Sequence, residues 1–131
     1  DMTRTVALGF VTDEMRRVYE TVLAAQLAAE QALAPGKTGS EVDKIARDII
    51  YGAGYEGCFG HGLGHSVGLQ IHEEPRLSPA CHETLRAGML MTIEPGIYLE
   101  GRFGVRIEDL AVLTDGGCEI LTRSPKELLV L

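Results

Sequence analysis

The chain has 131 residues, 45% of them apolar and 24% charged, and carries a net charge of −7 at neutral pH. That length and balance support one buried core and exclude a disordered or low-complexity chain. The 12 basic residues are scattered among 19 acidic ones, which argues against nucleic acid as a partner, and no apolar run nears the ~20 residues that span a membrane.

In chain order, Met15, Val18, Tyr19, Val22, Ala25, Ala29 and Leu33 recur at helical spacing, with Thr12 placed to cap the start and Pro35-Gly36 to end the run. Val42, Ile45, Ala46, Ile49, Ile50 and Ala53 predict a second amphipathic helix, opened by Ser40 with Asp43 completing a capping box. After Gly54 the texture changes. The stretches "GMLMTIEPGIYLEG" and "FGVRIEDLAVLTDGG" alternate between turn signals and short apolar runs and predict strands. A brief helix capped by Ser124 is expected at the end of the chain. No linker interrupts residues 1–131, so one unit is expected. Cys58, Cys81 and Cys118 are odd in number and widely spaced, which suits reduced thiols rather than a disulfide framework. With no signal-peptide pattern, the expected location is the cytoplasm.

Chemistry concentrates in "GHGLGHSVGLQIHEE", which holds three of the four histidines. His61 and His65 stand four apart, but Gly60, Gly62 and Gly64 make a helix improbable there, so the spacing alone is weak. His65 and His72 read equally well as ordinary polar residues, His82 only so, and Glu73 and Glu74 as a solvated turn. Strand alternation says more. Thr92 and Glu94 share a face opposite Met91 and Ile93, and Arg106 and Glu108 share one opposite Val105 and Ile107. Both glutamates stand in runs apolar enough for a core, where an ionised carboxylate needs a cation. Arg106 as a structural ion-pair partner and a bound metal are both open on spacing alone.

The stretches "DMTRTV", "GHGLGHSVGLQIHEEP", "AGMLMTIEPGIY" and "GVRIEDLAVLT" together resemble the pita-bread metallopeptidases, in the group of Xaa-Pro dipeptidase (prolidase) and aminopeptidase P. The resemblance runs through the whole chain in the family's order. It implies an α+β fold with helices packed on a curved, mostly antiparallel sheet. It also implies two divalent metal ions, manganese, cobalt or iron rather than zinc, held by two aspartates, a histidine and two glutamates. By motif position the second aspartate is Asp1, the histidine His65, and the glutamates Glu94 and Glu108. His61 and His72 fall where the family orients substrate and steadies the tetrahedral intermediate. Arg106 falls where it supports the last glutamate, and Tyr98 stands as a further member of the surroundings. Glu94 doubles as the proton shuttle. The implied reaction is hydrolysis of the Xaa-Pro bond in dipeptides or at peptide N-termini, through a hydroxide held between the metals. A homodimer is common in such relatives.

The family's first aspartate would precede Asp1. The chain is therefore expected to be part of a longer catalytic domain, weak in metal binding and inactive alone, the more so because the α-amino charge of a terminal Asp1 opposes a cation. A non-catalytic peptide-binding module and a metal-free amidinohydrolase of the creatinase kind are the alternatives, and the filled ligand positions speak against both.

Overall fold

Helix α1 (Asp13–Ala32) begins where the Thr12 hydroxyl accepts the Met15 N–H at 3.1 Å. Asp13 and Glu14 follow in the first turn, where the helix dipole favours negative charge. It ends ahead of Pro35, and Gly36 then turns the chain at a φ of 91°. Its inner face carries Val18, Tyr19, Val22, Ala25 and Ala29, the predicted stripe. The computed structural model describes residues 1–131 throughout.

Helix α2 (Gly39–Gly52) departs from expectation at its start. Thr38 is the cap, not Ser40, and the capping box is closed by Glu41, not Asp43. The Thr38 hydroxyl accepts the Glu41 N–H at 3.3 Å, and the Glu41 carboxylate accepts the Thr38 N–H at 2.7 Å. Asp43 cannot serve there because it is buried on the inner face, paired with Arg47 at 2.8 Å.

The second half supplies β1 (Gly64–Ser66), β2 (Glu73–Leu77), β3 (Leu90–Ile93), β4 (Gly96–Leu99), β5 (Phe103–Arg106), β6 (Asp109–Thr114) and β7 (Gly117–Ile120). Five of them form an antiparallel sheet in the order β2-β1-β3-β6-β7, and β4 and β5 make a separate hairpin. Met91 and Ile93 of β3 and Ala111 and Leu113 of β6 meet the inner faces of both helices in one apolar core. Gly64 lets β1 press against β3, since a Cβ there would lie 1.9 Å from the Thr92 carbonyl oxygen.

Two further expectations are corrected. Glu73 and Glu74 open β2 rather than forming a turn: Glu73 pairs with Ser66 of β1, and buried Pro75 and Leu77 alternate with exposed Glu74 and Arg76. No helix closes the chain. Residues 124–131 form irregular chain with bends at Ser124 and Glu127, and the last three pair with the N-terminal segment, with Ala7 N–H on Leu129 O at 2.9 Å and Leu131 N–H on Ala7 O at 2.8 Å. Lys126 is drawn inward at the same time, to Glu30 at 2.8 Å and Asp109 at 2.6 Å. Those long-range partners outweigh a single local turn.

Candidate metal centre and active-site cleft

His65 occupies the middle of β1, between strands β2 and β3, and its side chain is 6% exposed. Its Nδ1 lies 3.1 Å from the Ser66 carbonyl oxygen, which can only accept, so Nδ1 carries the proton. The Nε2 lone pair then faces Glu94 Oε1 at 3.1 Å and Asp1 Oδ2 at 3.6 Å. Three acceptors pointed at one another repel unless a cation lies among them or the ring takes a second proton. Asp1, His65 and Glu108 each bring one ligand atom within 4.8 Å of the others. The structure therefore gathers Asp1, His65 and Glu108, and sets Glu94 against His65.

Glu94 and Glu108 lie just past β3 and β5. The Thr92 hydroxyl accepts the His65 N–H at 3.0 Å and donates to Glu94 Oε1 at 3.0 Å, so one residue fixes both the histidine backbone and the glutamate. Glu108 is 3% exposed, and the only hydrogen bond its carboxylate receives comes from the Thr3 hydroxyl. Arg106 makes no ion pair with either glutamate, against the ion-pair reading left open by the spacing. Its Nε instead donates to Thr3 Oγ1 at 3.1 Å, so it reaches Glu108 through that hydroxyl. A buried carboxylate supported by one hydroxyl, beside a second carboxylate and an imidazole, fits a hard divalent cation.

His61 and His72 face the same cleft, which His61, His65, His72, Glu94 and Arg106 line without any apolar side chain. His61 repeats the device of His65: its Nδ1 meets the Gly62 carbonyl at 2.8 Å, leaving Nε2 to accept from Tyr98 OH at 2.7 Å. Tyr98 in turn accepts from Arg106 Nη1 at 3.5 Å, and this bond is the main cause holding the guanidinium pKa above its usual value. His72 stacks edge-on against His65, with ring centroids 4.5 Å apart. His82 lies elsewhere, beside Ser40.

Thr3, Arg76 and Ser78 were not predicted for this region. Thr92 carried a signal, two residues before Glu94 on one strand face. Thr3 carried none, since its partner Glu108 is 105 positions away. A second hollow, between the N-terminal segment and β5, is lined by Val6, Leu8, Phe10, Met15 and Phe103 and brings no acid, base or ligand set together. Cys58, Cys81 and Cys118 are free, as expected. No helix is long and apolar enough to cross a membrane.

Residues 1–115 match the model of metallopeptidase family M24. The Xaa-Pro dipeptidase of Pyrococcus furiosus is 49% identical over 129 residues, covering 98% of this chain and 37% of that protein. Among solved structures, an Xaa-Pro dipeptidase from Bacillus anthracis superposes with a TM-score of 0.97 at 46% identity, over 99% of this chain and 37% of that one. An X-Pro aminopeptidase from Thermotoga maritima gives 0.96 at 45%, over 100% and 37%. The chain thus spans 37% of the length of each of these relatives. Its fold is the pita-bread fold in part, two helices on an antiparallel sheet, and the chain belongs to metallopeptidase family M24.

Proposed function

We propose that residues 1–131 are part of the catalytic domain of an Xaa-Pro peptidase, with Asp1, His65, Glu94 and Glu108 as metal ligands. The observation that carries this reading is the convergence of two carboxylates on the His65 Nε2, with the buried Glu108 alongside. Divalent ions, when bound there, would acidify water and polarise the scissile carbonyl. Oxygen-rich donors with one imidazole favour manganese, cobalt or iron over zinc.

The chain's own residues do the rest. Glu94 holds Oε1 on Thr92, which leaves Oε2 without a hydrogen bond from the protein and able to take the proton of the attacking water. It returns that proton to the proline nitrogen as the C–N bond breaks. His72, at the cleft, steadies the oxygen of the Xaa carbonyl as negative charge develops on it, while His61, whose Nε2 accepts from Tyr98, helps orient the substrate in the same cleft. Arg106 orients His61 through Tyr98 and Glu108 through Thr3. Three free cysteines support a reducing, cytoplasmic setting.

The test uses the complete reading frame with manganese: proline release from Ala-Pro and cleavage of Ala-Pro-Ala, with and without chelator. Cleavage of the dipeptide alone assigns a dipeptidase, and of the tripeptide an aminopeptidase. Glu94→Gln and His65→Ala should each abolish turnover while leaving the protein folded, and turnover retained in either overturns the site assignment.

A further inference from the structure

The loop that carries His61 has little regular structure of its own. Residues 57–63 belong to no strand, and Gly57, Gly60 and Gly62 leave the segment high chain entropy to lose on ordering. Yet Phe59 and Leu63 are almost fully buried, so the polar backbone around them needs partners from elsewhere.

An ion pair on α2 supplies them. Asp43, 1% exposed, and Arg47 face one another in a bidentate fork, Nε to Oδ2 at 2.8 Å and Nη2 to Oδ1 at 3.0 Å. The guanidinium also donates to the carbonyls of Phe59 at 2.9 Å and His61 at 2.8 Å, and lies 4.2 Å above the Phe59 ring centroid. Asp43 Oδ1 accepts the Leu63 N–H at 3.0 Å. Alternate residues of the loop, 59, 61 and 63, are thus tied to one salt bridge. The tie continues inward, because the Leu63 carbonyl accepts the Glu94 N–H at 2.7 Å. The hydrogen bond with Asp43 is the chief cause raising the Arg47 pKa.

We infer that Asp43 and Arg47 are positioning residues that set the His61 imidazole in the cleft and, through Leu63, the backbone of Glu94. The inference rests on His61 serving the reaction proposed above. Neither residue lines the cleft, so neither touches substrate. Lysine at position 47 would keep the charge but lose the planar fork that reaches both carbonyls and both carboxylate oxygens.

The experiment is a double-mutant cycle in the complete protein between Arg47→Lys and His61→Ala, with kcat and KM measured separately on the Xaa-Pro substrate. Alone, Arg47→Lys should lower kcat by about tenfold or more, the scale expected when a catalytic group is misplaced by a fraction of an ångström to one ångström. In the His61→Ala background the same substitution should cost less than about twofold, because its route of action is already gone. Losses that multiply independently would overturn the inference. Asp43→Asn, nearly isosteric, is the second variant should Arg47→Lys fail to fold. Imidazole NMR signals of the histidines provide a readout that does not need turnover: in either variant the His61 signal should move while that of His82 stays. An unchanged His61 signal in a folded variant refutes the inference even if the complete protein proves inactive on proline peptides, whereas inactivity with a displaced His61 signal faults only the proposed reaction.

Discussion

Two threonine hydroxyls do the same work on the two glutamates of the centre. Each donates its single proton to a carboxylate and accepts an N–H from behind, Thr92 from the His65 backbone and Thr3 from Arg106. This fixes which carboxylate oxygen is engaged and in what direction. Thr3→Val keeps the shape but removes both bonds, so metal affinity should fall by about 10–100-fold, the usual cost of losing such a support, while Thr3→Ser should stay near wild type. Calorimetric titration of the complete protein with manganese checks this, and equal affinity in the valine variant would refute it. Glu94 and Glu108 were legible as unusual in the sequence because a carboxylate in an apolar run demands a cation. Their supports were less so. A threonine is unremarkable in a strand, and no local pattern relates Thr3 to a glutamate at the other end of the chain.

At the scale of elements, the helices were readable from periodicity, because burial of one face enforces it. The start of α2 was misread by two residues, since Thr38 and Ser40 both offer a hydroxyl and only the fate of Asp43 decides between them. With Asp43 committed to Arg47, Glu41 closes the box. The Thr38 backbone N–H, followed by its hydroxyl, holds the Glu41 carboxyl below the usual glutamate range. The folded state therefore binds fewer protons than the unfolded one across that range. The stabilisation is complete above it and drains away as pH falls through it. Urea midpoints taken from neutral to acid pH should fall further for wild type than for Glu41→Gln, whose amide can still close the box but does not titrate, and parallel curves would show that the charge on Glu41 contributes nothing. Strands β3 to β6 were legible as strands, but β1 and the turn-like start of β2 were not, nor was the order of the sheet. Pairing of β1 with β3 depends on the close approach at Gly64, which reads in sequence only as one more glycine.

Over the whole molecule, charge is folded inward where the ends of the chain meet. Arg4 donates to Asp109 at 2.7 Å and to the carbonyls of Glu108 at 2.8 Å and Pro125 at 2.8 Å. Lys126 joins Glu30 and fully buried Asp109 from the other side. Burial raises the pKa of Glu30 in spite of Lys126, whereas Lys126 and Arg4 outweigh burial at Asp109 and keep it low. Lys126→Met should leave buried Asp109 and half-buried Glu30 without their shared cation and cost about 3–5 kcal/mol in urea unfolding at neutral pH. A change within experimental error would show that Arg4 alone satisfies the cluster. None of this was visible locally, and the expected C-terminal helix failed for that reason: Lys126 finds its partners across the fold. Arg106 has a different reach. One edge of its guanidinium holds Thr3 and so Glu108, and another holds Tyr98 and so His61. A planar, rigid group cannot tilt at one edge and stay put at the other. On the function proposed above, with a cation at the centre and a peptide in the cleft, Arg106 would link the two events, and such linkage is symmetric: whatever factor the cation added to the affinity for peptide, the peptide would add to the affinity for the cation.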